Sequence, residues 1–259
     1  MPPGAVHVCY VNAVSRFLSA YDAYVGGFGF GYVARPFVRR LAAWDRVAAM
    51  RPTILVANSR NVAERIAVQY GRDALVLHCP VDLARFSPGT GAGNYFIVAS
   101  RLLPYKRIEI AVAAAQIANV PLVVAGSGPA QRRLRALANG TTTTMLGYVD
   151  DARLNELMGN ARAAIVPGEE DFGLVPLEAA AAGRPAIALR AGGALETIDE
   201  GVTGEFFDEP TAQSLAAVLA RFDASRYDAR RLRAHAERFS PEVFVAELRK
   251  IVARVRSSS

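Results

Sequence analysis

"NYFIVASRLLPYKRIEIAVAAAQIANVPLVVAG", residues 94–126, reads as strand, helix, strand. Its two apolar runs, 94–100 and 120–126, are nearly continuous, as expected of strands covered on both faces, and residues 106–118 between them have helical length and spacing. The alternation continues downstream. Further apolar runs lie at 143–149, 163–168, 185–190 and 203–207, and helical patterns at 130–139, 151–161, 173–183 and 194–201. Strands alternating with helices predict an α/β fold with a doubly wound parallel sheet, whose ligand-binding loops lie at the C-terminal ends of the strands.

Upstream the pattern changes. Residues 6–12 and 52–59 read as buried strands, separated by a short helix, the glycine-rich "GGFGFG" (26–31) and an amphipathic helix near 35–50. In that helix Phe37, Leu41, Trp44 and Ala48 recur at helical spacing as an apolar stripe, with Arg39, Arg40 and Arg46 off it. Residues 59–71 form another helix, with Ser59 as N-cap and Gly71 as stop. The Pro- and Gly-rich segment 79–93 reads as a linker. At the far end Ser240 caps a helix that begins at Pro241 and carries a stripe of Phe244, Leu248, Ile251 and Val255. Two domains are expected, 1–85 including the linker and 86–259 including the terminal helix.

The 259 residues, 52% of them hydrophobic, are enough to bury a substantial core. No window reaches the roughly 18 apolar residues of a membrane span, and the N-terminus lacks the pattern of a signal peptide, so a cytoplasmic location is expected. Cys9 and Cys79 give no disulfide framework. A metal site from His7, Cys9, His78 and Cys79 is not expected, since adjacent strand residues such as His78 and Cys79 point to opposite faces. Of the net charge of +6, residues 1–80 hold +5 (nine Arg against four acids) and the remainder +1. That surplus suits a surface facing phosphates, nucleic acid or an anionic membrane, or else a solvated Arg-rich face.

Two loops carry candidate chemistry. After the strand at 94–100, Ser100, Arg101, Pro104, Lys106 and Arg107 line a turn before a helix, and cations beside a helix N-terminus make an anion site suited to a diphosphate. Lys106 is one of two lysines in a chain with 28 arginines. The second loop is "PGEEDFGLVPLE", 167–178, where Glu170 precedes a helix and Glu178 lies a little over one turn inside it. Carboxylates there accept hydrogen bonds from vicinal hydroxyls while free amides around Phe172, Gly173 and Leu174 donate to phosphate. Helix-dipole complementarity accounts for acids at 169–171 but not for one inside the apolar face. "GSGP" (126–129) lacks the third glycine of a dinucleotide fingerprint and reads as a tight turn; "DFG" (171–173) comes without the other kinase motifs; "GGALE" (192–196) fits either a turn or a close approach to a ligand.

These stretches resemble the retaining, nucleotide-sugar-dependent glycosyltransferases of family 4, which have the two-Rossmann GT-B fold. "ASRLLPYKR", "VVAGSGP", the segment 146–189 and "GGALETIDEGVTGEFF" carry the likeness, extended upstream by residues 57–88. The nearest branch looks like GDP-mannose-dependent mannosyltransferases of polysaccharide assembly. The resemblance implies that Arg101 and Lys106 grip the donor diphosphate without a metal or other cofactor. It assigns sugar hydroxyls to Glu170, the ribose to Glu178, donor contacts to Phe172, Gly173 and Leu174, and the nucleobase to Tyr148 and Val149. It implies a hexose, mannose in the nearest branch, moved to a glycan or lipid-linked acceptor, with the basic helix 35–50 against a membrane surface and no nucleic acid as partner. Against the pattern, the acceptor-side domain holds about half the residues of a full Rossmann unit, and Asn12 and Val14 stand where the branch carries a His and a Pro. The alternative is a non-catalytic or partner-dependent sugar-nucleotide-binding module, completed by another chain.

Overall fold

The computed structural model describes residues 5–15, 31–89 and 93–257. Most of the glycine-rich stretch 26–31, and the short helix expected before it, lie outside them. The chain divides into two compact units, Met1–Cys79 with Phe244–Ser259, and Pro80–Val243. The terminal helix, grouped with the second domain on sequence grounds, thus clusters with the first unit from Phe244 onward.

The first unit has three parallel strands in the order β1 (Val8–Val11), β2 (Ile54–Ala57), β3 (Leu75–Val76). Val14, Leu55, Ala57, Val62 and Ile66 form its core. Helix α1 (Gly31–Ala49) precedes β2, and α2 (Arg60–Tyr70) follows it. Ser59 caps α2 by accepting from the Val62 amide, and Gly71 ends it at φ 64. On the α1 stripe Phe37 and Trp44 are 66% and 59% exposed and Leu41 and Ala48 half-buried, while Val38 beside them is buried. The buried side of α1 is fixed where Tyr70 donates to Asp45 Oδ2 at 2.6 Å. The stripe on the last helix does make contact at Phe244, whose ring meets Tyr10 edge-on with 5.6 Å between centroids.

The second unit is a six-stranded parallel sheet, β4 (Phe96–Ala99), β5 (Leu122–Ala125), β6 (Thr143–Gly147), β7 (Ala164–Val166), β8 (Ala186–Leu189) and β9 (Gly204–Phe207). The helices between and after them are α3 (Ile108–Ile117), α4 (Gln131–Ala138), α5 (Asp151–Asn160), α6 (Leu174–Ala181), α7 (Ala194–Thr197), α8 (Ala212–Arg221) and α9 (Ala229–Glu237); the last helix, α10 (Pro241–Ser257), belongs to the first unit from Phe244 onward. One core gathers Phe96, Val98, Ile108, Val112, Leu122, Ile165, Leu215 and Leu219, with α3 packed against α8. The helix expected over 194–201 is a single turn. Ile198 is extended, and Gly201 at φ 79 turns the chain so that Thr203 Oγ1 accepts from the Asp199 amide.

The strand order is β6-β5-β4-β7-β8-β9. From β4 the chain steps outward to β5 and β6, then returns to the other side of β4 with β7. Loops leaving adjacent strands in opposite directions open a crevice at such a switch point. Here those loops follow β4 and β7, the two singled out by their chemistry.

Candidate active site at the strand switch point

Close backbone packing sets the loops around the crevice. A methyl group on Gly126, after β5, would fall 1.9 Å from the Ser100 carbonyl oxygen, and one on Gly168, after β7, 2.8 Å from those of Tyr105 and Lys106. On the next strand, a methyl group on Gly193 would fall 2.3 Å from Phe172 Cα, while the Gly193 amide donates to Glu170 O at 2.9 Å. "GSGP" and "GGALE" are thus places where one loop's backbone lies on the next. Loops after β5, β4, β7 and β8 form a continuous rim.

On that rim Lys106 Nζ donates to Glu170 Oε1 at 2.6 Å and to Oε2 at 2.5 Å. Lys106 ends a 3₁₀ turn, Pro104–Lys106, and its ammonium also lies 5.2 Å from the centre of the Tyr105 ring. The two side chains are 18% and 17% exposed, so a ligand can reach them while bulk water screens them little. Arg101 is exposed at the start of the same loop and has no side-chain hydrogen bond or ion pair among the described residues. Arg107 closes the turn at φ 53, a left-handed conformation unusual for a side chain of its size.

Helix α6 opens at Gly173, φ 93, with no side chain capping it, and Pro176 in its first turn has no N–H to satisfy. Phe172 points inward, buried, with its ring 6.0 Å from that of Phe239. Leu174 is exposed. Beneath this opening Thr197 Oγ1 donates to the Gly193 carbonyl at 3.3 Å, and His235 Nε2–H donates to the Thr197 carbonyl at 3.0 Å. Burial holds the His235 pKa below its ordinary value, which favours the neutral ring. Tyr148, after β6, is 79% exposed and Val149 half-buried; Gln131 and Arg135 of α4 lie close to Gly147 just before them.

Glu178 is not on the Lys106 pair. Its carboxylate lies 3.8 Å from Arg85 Nη1, and Arg85 Nη2 donates to Asp151 Oδ1 at 2.6 Å. Burial raises the Glu178 pKa; the Arg85 charge opposes that shift and Asp151 adds to it. Arg85 went unnoticed in the sequence because it sits in the segment read as a linker. That reading is corrected for residues 80–89. Leu83–Arg85 is a 3₁₀ turn capped by Asp82, Phe86 is buried, and Arg233 donates to the carbonyls of Leu83 and Phe86 at 3.0 and 2.7 Å. The only cue was an arginine beside an apolar residue in a stretch otherwise short of large side chains. Elsewhere, Cys79 is half-buried, and burial pushes its pKa up to about 12.

The site therefore offers cations, open helix amides and two carboxylates in one unit, a set matching a molecule that carries both phosphate and hydroxyl groups. The chain is 34% identical over 251 residues to a D-inositol 3-phosphate glycosyltransferase of Geodermatophilus obscurus, an alignment covering 83% of this chain and 55% of that one. A GDP-mannose-dependent alpha-(1-6)-phosphatidylinositol dimannoside mannosyltransferase of Mycobacterium tuberculosis is 33% identical over 117 residues, 44% of this chain and 31% of that one. The chain thus spans about half the length of the first of these relatives, and less of the second. Among solved structures, Anabaena Alr3699/HepE in complex with UDP-glucose superimposes with a TM-score of 0.74 at 19% identity, over 95% of this chain and 72% of that one. That likeness carries the GT-B type of fold. The family described as glycosyl transferases group 1 matches residues 82–239, which hold every charged side chain of the crevice, and the chain belongs to that family.

Proposed function

We propose that the protein transfers a hexose from a nucleotide-sugar donor to a glycan or lipid-linked acceptor, with retention of configuration and without a metal. The observation that carries this reading is the Lys106–Glu170 pair at the strand switch point. Arg101 and Lys106 receive the donor diphosphate; as the bond from the sugar to phosphate breaks, the electron pair stays on phosphate oxygen, where these cations stabilise it. Glu170 then exchanges the lysine for sugar hydroxyls. Glu178 takes the ribose, the amides at Phe172, Gly173 and Leu174 the phosphates, and Tyr148 and Val149 the base. Mannose is favoured by the resemblance above and by the mycobacterial relative's name. The exposed Phe37 and Trp44 of α1, interleaved with Arg39, Arg40 and Arg46, support an acceptor met at a membrane surface.

Calorimetry and thermal shift with GDP-mannose, UDP-glucose and ADP-glucose test the donor. A donor at about 100 times its dissociation constant adds about 2.7 kcal/mol of stability, and no shift with any of them ends the reading. Lys106→Ala is expected to lower turnover roughly 100- to 1,000-fold while the fold persists. Unchanged kinetics would remove the role given to that lysine.

A second reading, a non-catalytic or partner-dependent sugar-nucleotide-binding module completed by another chain, draws on the three strands described in the first unit and on the 55% coverage of the inositol-phosphate relative. Donor binding with neither transfer nor donor hydrolysis by the purified chain is its signature.

A further inference from the structure

Arg85 is held with unusual completeness for a residue in a segment short of regular structure. Its 3₁₀ turn is tied to α9 through Arg233, whose guanidinium also binds the Ala181 carbonyl at the end of α6, 2.9 Å away. Two residues on, Ser87 donates its amide to Asn155 Oδ1 of α5 at 2.9 Å. The turn is thereby fixed against both helices that carry its side-chain partners, Glu178 on α6 and Asp151 on α5. The guanidinium itself is incompletely satisfied: Nε is buried with no acceptor, and the nearest Glu178 oxygen stands 3.8 Å from Nη1, beyond hydrogen-bond reach. A buried donor without a partner is a cost a purely structural arginine would avoid.

We propose that Arg85 is a positioning residue of the donor site, holding the Glu178 carboxylate ionised and oriented to accept the hydroxyls of the nucleotide sugar. The inference rests on the donor reading of Glu178 given above. An ionised carboxylate only accepts and serves two hydroxyls at once, whereas a protonated one turns an oxygen into a donor and loses that match. Burial pushes Glu178 toward the protonated form, and the charged groups facing it are Arg85 from the 3₁₀ turn, which opposes protonation, and Asp151 from the start of α5, which promotes it. Arg85 thus acts on Glu178 both directly and by neutralising Asp151.

The test is calorimetric titration of the whole chain with GDP-mannose and UDP-glucose across a range of pH. Arg85→Met is expected to weaken the better donor about tenfold or more at neutral pH, with affinity recovering as pH rises, because the unsupported carboxyl ionises later. Arg85→Lys keeps the parent's midpoint. Asp151→Asn, at an exposed position, moves the midpoint down. Glu178→Gln binds weakly with a flat profile. Loss of affinity in Arg85→Met by the same factor at every pH, or an unmoved midpoint in Asp151→Asn, overturns the role of Arg85 while leaving the donor reading in place. Parent-like affinity in Glu178→Gln would instead remove that reading itself. If Arg85→Met fails to fold, the Asp151→Asn midpoint decides.

Discussion

Under the donor reading proposed above, Glu178 meets two demands that conflict, since burial favours its neutral form and hydroxyl capture its charged one. Its pKa is raised in the folded state, chiefly by burial. A carboxyl raised in this way adds stability below the ordinary glutamate range and loses that contribution as pH rises through the folded value. Glu178→Gln should therefore flatten that part of the stability curve and, at neutral pH, melt no lower than the parent, measured by thermal unfolding across pH. A steep fall in melting temperature at neutral pH would show that Arg85 gains more from the charge than burial takes away. The residue's position one turn inside an apolar helix was legible, because a lone acid there breaks the pattern. Its partner was not: Arg85 reaches Asp151 across 66 residues of sequence, and no local spacing encodes that approach.

At the scale of elements, the sheet edge depends on loops whose backbones touch. Gly168→Ala would press a methyl group against the carbonyl oxygens of Tyr105 and Lys106, and overpacking of this kind costs about 1–3 kcal/mol. Denaturant unfolding reads that loss, and donor affinity should fall with it, because the shift displaces the turn that ends at Lys106. A control lies in the first unit. Ser59→Ala removes the cap of α2 for about 1 kcal/mol and should leave donor affinity unchanged. The strands of the second unit were readable because buried parallel strands leave unbroken apolar runs. The helix over 194–201 was misread because its apolar and acidic residues have helical spacing while Gly201 and Thr203 form a turn that spacing does not report.

For the whole molecule, the surplus of positive charge and the exposed aromatic side chains of α1 fall in the same third of the chain. Residues 1–80 carry +5 of the net +6, and α1 exposes Phe37 and Trp44 as well as Arg39, Arg40 and Arg46. No helix among the described residues is long and apolar enough to cross a membrane. The chain is expected to sediment with vesicles containing anionic lipid, to bind less as salt rises, and to lose most binding in a Phe37→Ser, Trp44→Ser double variant. Equal binding to neutral vesicles would remove the electrostatic part of that proposal. Composition pointed to this helix without saying which part of its apolar row is buried, and packing at Val38 and Asp45 decides that.

The touching backbones at Gly126, Gly168 and Gly193 bear on any random mutagenesis of this protein. None of the three needs to meet a substrate, yet each sets where a neighbour that does is placed. Loss-of-function screens should accordingly recover alleles at these sites that lower the amount of folded protein and the donor affinity of what remains, although none of them changes a residue of the proposed donor site.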